Sequence, residues 1–236
     1  MPTVTPIDTR AQAHRQTAFI FDLDGTLVDS VYQHVLAWHE ALDREGIALS
    51  VWRIHRKIGM SGGLFTNMLL RETGVDFPPD LIARVQRGHA DAYRRVSSEV
   101  QPLPGARALL DTLTANDVAW AIATSGHLQD AQPVLDRLGI DTARTAVVTR
   151  DQVKYAKPDP DLFFAAADAL GVDVASAVVV GDSVWDMLAA QRARALGIGL
   201  LSGGYGLEEL ERAGAYRVFA DPADLLVHLD EVGGRR

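Results

Sequence analysis

Residues 19–30 read FIFDLDGTLVDS, an apolar run that ends on carboxylates. Phe19, Ile20 and Phe21 suit a buried strand, and Asp22, Asp24 and Asp29 follow within eight positions. Carboxylates that repel one another and lose water need something to offset their charge. Residues two apart in extended chain point the same way, so Asp22 and Asp24 face one crevice. Oxygen-rich carboxylate sites suit Mg²⁺, which would supply that offset. One carboxylate of such a pair can attack phosphorus while the other gives and takes protons. The segment also suits a plain strand exit that turns at Gly25.

Working outward, short apolar runs recur at Ala18–Phe21, Val118–Ala123, Ala146–Val148, Ala177–Val180 and Ile198–Leu201, with helical segments between them. This alternation predicts an α/β fold, a doubly wound parallel sheet covered by helices on both faces. One interval is out of proportion, since no convincing strand occupies the long stretch between the first two runs. Within it Val31, Val35, Trp38 and Leu42 fall at helical spacing, and Gly46 ends that helix. LFTNMLLRETG and PPDLIARVQRGHADAYRRV keep the same period. Prolines and Gly105 in PLPGARALLDTL mark the return to the core. The expected organisation is a core of residues 17–31 and 104–236, an inserted all-helical domain over 32–103, and a disordered tail over 1–16.

Composition limits what such a chain does. At 236 residues and 47% apolar it can bury a large core without staples. It has no cysteine, which excludes disulfides, thiolate zinc sites and cysteine nucleophiles and fits a reducing cytoplasm. A net charge of −8 argues against nucleic-acid binding, which needs clustered Lys and Arg. No segment approaches the roughly 20 apolar residues of a membrane span. The expected location is cytoplasmic, with no membrane partner, as a monomer or weak homodimer.

Open parallel sheets bind ligands beyond the carboxyl ends of their strands. Besides Asp22 and Asp24, three segments with polar residues sit at such ends. Thr124, Ser125, Gly126 and His127 combine hydroxyls with the start of a helix, an anion site or a simple cap. Lys157 precedes Pro158 in an extended loop, with Lys154 as a competing candidate. Asp182 follows VVVG, and Asp186 lies one helical turn further on; this pair suits either a metal site or a helix cap. The order of strand, helical insert, and then Thr, Lys and Asp at successive strand ends makes coincidence improbable.

Taken together these residues resemble the haloacid dehalogenase superfamily. DLDGT resembles its first motif, Thr124 the second, Lys157 the third and GDSVWD the fourth. The insert resembles the helical cap of the branch that holds phosphoglycolate phosphatases and β-phosphoglucomutases. The resemblance implies that Asp22 is the nucleophile, forming an aspartyl-phosphate, and Asp24 the general acid and base. It implies Mg²⁺ held by Asp22, the main-chain carbonyl of Asp24, and Asp182, with Asp186 in support. Thr124, Ser125 and Lys157 would bind the phosphoryl group.

Dehalogenases of this superfamily lack the second motif aspartate, so Asp24 argues against that reaction. The Schiff-base lysine of phosphonoacetaldehyde hydrolases and the sugar-phosphate arginine of mutases both fall on Gly62. Thr26 follows the phosphatase pattern rather than the mutase DxDGV, although His34 matches a mutase cap-hinge histidine. The expected activity is therefore hydrolysis of a small-molecule phosphate monoester, with a phosphosugar mutase or phosphoglycolate phosphatase as alternatives. Gly62 and Gly63 leave room for a bulky leaving group, such as a ringed pentose 5′-phosphate of nucleotide-like or C-glycoside type. His34 and Trp38, one turn apart, would line the cleft between cap and core. Trp52, Arg53, His55, Arg56 and Lys57 form an aromatic-basic cluster that reads either as part of the substrate site or as a solvated helix face. Asp29 reads as the cap of the first inserted helix.

Overall fold

The structure is a computed structural model that describes residues 17–74 and 78–234. The expected tail over 1–16 lies outside the described residues. Six parallel strands form one sheet: β1 (Ala18–Phe21), β2 (Trp120–Ala123), β3 (Val147–Val148), β4 (Ala177–Gly181), β5 (Leu196–Leu200) and β6 (Ala215–Phe219). Their order is β3-β2-β1-β4-β5-β6, with β1 in the middle. Phe21 lies in register with Ile122 of β2 and with Val180 of β4. The strand ends are thereby level, and the residues that follow them emerge along one edge.

β6 is absent from the sequence reading. Tyr216 and Arg217 are both exposed on this edge strand, so AYRVF lacks the apolar run that marks a buried parallel strand. β5 starts two residues before the predicted Ile198, with Leu196 exposed at its entry.

After β1 the chain enters four helices, α1 (Val31–Arg44), α2 (Val51–His55), α3 (Gly62–Thr73) and α4 (Pro79–Val96). The α1 stripe Val31, Val35, Trp38 and Leu42 is buried, as its spacing requires. It packs with Phe65 and Leu69 of α3 and Val85 of α4 in a cluster separate from those against the sheet. Gly46 adopts φ +70° just past α1, a backbone state that glycine enters at little cost. Asp29 does not cap this helix. Ser30 occupies the N-cap position, and Asp29 is exposed.

The remaining helices are α5 (Ala106–Ala115), α6 (Leu128–Leu138), α7 (Asp161–Leu170), α8 (Val184–Ala193), α9 (Leu207–Arg212) and α10 (Pro222–Val227). Successive strand residues point to opposite faces. Phe19 and Phe21 accordingly pack with Leu109 of α5 and Leu135 of α6, while Ile20 packs with Phe163 of α7 and Ala189 of α8. With both sheet faces covered, the level strand ends are left as the place where polar groups gather. No described helix is long and apolar enough to cross a membrane.

Candidate active site

Asp22 is the first residue after β1, and its N–H donates to the Val180 carbonyl (2.9 Å), which fixes the strand exit. Asp182 follows β4 in the same way, so the two carboxylates meet across neighbouring strands. Asp186 enters from the first turn of α8. Ser183 caps that helix, and its N–H (3.1 Å) and Oγ (2.5 Å) both donate to Asp186 Oδ2. Carboxylate oxygens of Asp22, Asp182 and Asp186 all lie within 4.8 Å of one another, and all three residues are buried.

Lys157 is completely buried among them. Its Nζ donates to Asp22 Oδ1 and lies 2.8 Å from Asp186 Oδ1. The competing Lys154 is exposed and lies over the Tyr155 ring. One lysine among three buried carboxylates leaves net negative charge, and the acidities register it. Burial pushes Asp22 from 3.8 to about 7, with Lys157 opposing the rise and Asp186 and Asp24 adding to it. Burial likewise drives Asp182 well above the ordinary carboxylate value, and Asp186 and Asp22 add to the push. Burial works against the charge on Lys157, yet Asp186 and Asp22 raise its pKa. An all-oxygen donor set with uncompensated negative charge fits a hard divalent cation.

The packing around Asp182 leaves no slack. Thr26 Oγ1 donates to its Oδ1 (3.1 Å), and a Cβ on Gly203 would fall 1.7 Å from its Oδ2. Gly25, at φ +81°, closes from the other side, where a Cβ would meet Oδ2 at 2.5 Å. The glycine in DLDGT is therefore required both by its conformation and by contact with Asp182.

Asp24 turns away from this trio. Ser30 Oγ donates to its Oδ1 (2.5 Å), and His34 Nε2 lies 3.3 Å from the same oxygen. Burial opposes ionisation, but the His34 and Ser30 contacts outweigh it and hold Asp24 below the ordinary carboxylate value. His34 Nδ1 in turn meets His89 Nε2 of α4 at 3.1 Å. The His34 ring stacks on Tyr93 and the His89 ring on Trp38, with centroids 3.8 and 4.1 Å apart. His34 thus links α1 and α4 to the sheet edge. Trp38 borders a cavity that Asp24 and His34 also line, and it packs on Phe65.

Thr124 follows β2, is buried, and accepts from the Gly126 N–H (3.0 Å). Neither Thr124 nor Ser125 caps α6. His127 holds the N-cap position, and Asp151 accepts from the Leu128 N–H (2.9 Å). Ser125 Oγ donates to the Gly59 carbonyl (3.0 Å), tying the insert to the core. Asp22, Asp24, His34, Trp38, Thr124 and Ser125 all border one cavity of about 880 Å³. Gly63 borders it too, and a Cβ there would meet nothing within 4 Å. Gly62 opens α3.

The aromatic-basic cluster divides. Trp52 is exposed, while His55 is buried with Nε2 2.7 Å from the Gly203 carbonyl. Arg56 pairs with Glu209, and its carbonyl accepts from Trp185 and Tyr205. Lys57 is buried against Glu72 (2.6 Å) and borders the cavity. Of the five, His55 and Arg56 join insert to core. His89 and Gly203, which sequence reasoning missed, reach the site only through tertiary packing, while Thr26 and Ser30 lie in the opening stretch but their contacts with Asp182 and Asp24 were not read from it.

The family model of haloacid dehalogenase-like hydrolases matches residues 16–194, most of the chain. The chain belongs to this family. A phosphoglycolate phosphatase of Rhodospirillum rubrum is 32% identical over 214 residues, covering 88% of each protein. Hexitol phosphatase A of Escherichia coli is 33% identical over 171 residues, 72% of this chain and 76% of that protein. A crystal structure of a hydrolase from Pseudomonas syringae shares 56% identity and a TM-score of 0.90, over 92% of this chain and 99% of that one. The phosphatase-named relatives support assignment of this family member to the phosphoric monoester hydrolases.

Proposed function

We propose that the chain is a Mg²⁺-dependent phosphatase that hydrolyses a small-molecule phosphate monoester through an aspartyl-phosphate on Asp22. The observation that carries the reading is the Asp22–Lys157 ion pair, packed against Asp182 and Asp186 at the rim of a cavity also bordered by Thr124. Asp22, Asp182 and the main-chain carbonyl of Asp24 would hold Mg²⁺, with Asp186 fixing Lys157 beside them. When bound, the ion offsets carboxylate charge and the charge on the phosphoryl oxygens.

Asp22 attacks phosphorus, and the bond from phosphorus to the leaving oxygen breaks as Asp24 gives that oxygen a proton. Water then attacks the phosphoryl group, Asp24 takes its proton, and the bond to Asp22 breaks to release inorganic phosphate. Lys157, the Thr124 hydroxyl and backbone N–H groups near Gly126 carry the phosphoryl charge throughout. The ionised Asp24 of this arrangement suits the second step. Ser30 and His34 stand at the start of α1, so movement of that helix loosens both contacts and lets Asp24 hold the proton needed first. Residues 32–103 act as a cap that closes over the cavity and excludes water.

A cavity of about 880 Å³ with open space at Gly63 exceeds what glycolate fills, which favours a sugar-sized leaving group such as a ringed pentose 5′-phosphate. Similarity to the R. rubrum protein favours phosphoglycolate as a second substrate reading. A panel of pentose, hexose, hexitol and nucleoside phosphates with phosphoglycolate, assayed in Mg²⁺ and in EDTA, decides between them. Phosphate release in Mg²⁺ with a preference for ringed sugars is expected. Isomer formation without phosphate release would overturn the hydrolase reading in favour of a mutase, and a preference for phosphoglycolate would overturn the substrate reading.

A further inference from the structure

The charges around the cavity can be matched almost completely. Asp22 pairs with Lys157, Asp24 with His34, Lys57 with Glu72, Arg94 with Asp91 and Asp130, and His127 with Asp151. Two cations remain. Arg87 on α4 and Arg150, two residues past β3, both border the cavity. Among the described residues neither side chain makes an ion pair or a hydrogen bond. Arg150 Nη1 is moreover buried without any partner. The chain carries 31 acidic against 23 basic Lys and Arg side chains, so carboxylates to pair with them are not scarce. A buried N–H with no acceptor is costly, and native proteins keep few of them. That cost falls on Arg150 alone, since Arg87 is exposed; a guanidinium bordering a cavity finds its best acceptor in a carboxylate or phosphate, whose two oxygens match its fork.

We propose that Arg87 and Arg150 form a second anion subsite, which takes a carboxylate or phosphate on the leaving-group side of the substrate. The proposal rests on the phosphatase reading, in which the scissile phosphoryl group occupies Asp22, Thr124 and Lys157. Arg87 belongs to the helical insert and Arg150 to the core, so a substrate anion held by both would bind across the two layers. Within the sugar-sized class of substrate, the subsite favours a leaving group that carries a second anion of its own over a neutral one of equal size.

Three probes differ at one end only: glycerol 3-phosphate ends in a hydroxyl, 3-phosphoglycerate in a carboxylate, and glycerol 1,3-bisphosphate in a second phosphate. The full chain should turn over one or both anionic probes with kcat/KM at least about tenfold above glycerol 3-phosphate. The two anionic arms tell carboxylate from phosphate. Arg87→Gln and Arg150→Gln should each reduce that preference by about tenfold or more, and Arg150→Lys should keep part of it. The preference is a ratio within one preparation, so partial unfolding of a variant cancels. Turnover of p-nitrophenyl phosphate with no preference for the anionic probes, or a preference unchanged in both Gln variants, overturns the subsite. Failure to turn over p-nitrophenyl phosphate or any of the three probes in Mg²⁺ overturns the phosphatase reading instead.

Discussion

Replacing Asp22 by Asn should abolish phosphatase activity and yet stabilise the metal-free protein, because the charge needed for chemistry is a burden on the fold. Burial raises Asp22 from 3.8 to about 7, with Asp186 and Asp24 adding and Lys157 opposing. Each tenfold change in an equilibrium is worth about 1.4 kcal/mol, so the full rise corresponds to roughly 4 kcal/mol. The sign follows from where the proton sits. Below about pH 4 the folded and unfolded chains both hold it, and there is no penalty. Between about pH 4 and pH 7 the folded chain keeps a proton that the unfolded chain releases, so stability falls as pH rises. Above about pH 7 both are ionised and the penalty stays constant. Asn carries no such charge and still offers Lys157 a carbonyl acceptor. Some of the gain is lost with the ion pair, so the net effect at pH 8 should be roughly 1–3 kcal/mol. Urea unfolding in EDTA, followed by the fluorescence of the four tryptophans, measures both proteins at pH 4.5 and pH 8. The Asn variant should gain on the parent between those two values. An Asn variant less stable than the parent at pH 8, with no gain over that interval, would show that ionised Asp22 is a net stabiliser and refute the reasoning.

Lys157→Met should have the opposite effect. Lys157 is the cation fully buried between Asp22 and Asp186, and removing it should cost about 3–5 kcal/mol in the same unfolding assay at pH 8. Gly203→Ala places a Cβ 1.7 Å from Asp182 Oδ2 and must displace that carboxylate. Mg²⁺ binding, followed by titration calorimetry, should weaken by about tenfold or more, and unaltered affinity would remove Asp182 from the metal site.

Four candidate residues were legible because each directly follows a strand or sits at a fixed offset from one. Asp22, Thr124 and Asp182 could be read from apolar runs that stop on a polar residue, and Asp186 from one helical turn. Lys154 stayed a rival, and Pro158 marks an extended loop but not a buried lysine, so Lys157 was legible only in company. Its burial comes from the packing of its loop against the sheet edge. β6 escaped notice because an edge strand exposing Tyr216 and Arg217 carries no continuous apolar signal. The Asp24 neighbourhood was half legible: His34 lies ten residues along the chain, but His89 comes from a helix 55 residues further on. Arg87 and Arg150 look like ordinary surface arginines, and only the fold shows that both border the cavity without a charged partner among the described residues.

The central claim is that Asp22 carries the phosphoryl group, and trapping tests it directly. p-Nitrophenyl phosphate has a leaving group that needs no proton, so its first step proceeds even in Asp24→Asn, where loss of the base slows attack by water. Rapid acid quench of that variant, reduction with borohydride and mass spectrometry of the peptide spanning β1 should reveal homoserine at position 22, the reduction product of an aspartyl-phosphate. A burst of p-nitrophenol with Asp22 unmodified, or with the modification on another residue, would contradict the account.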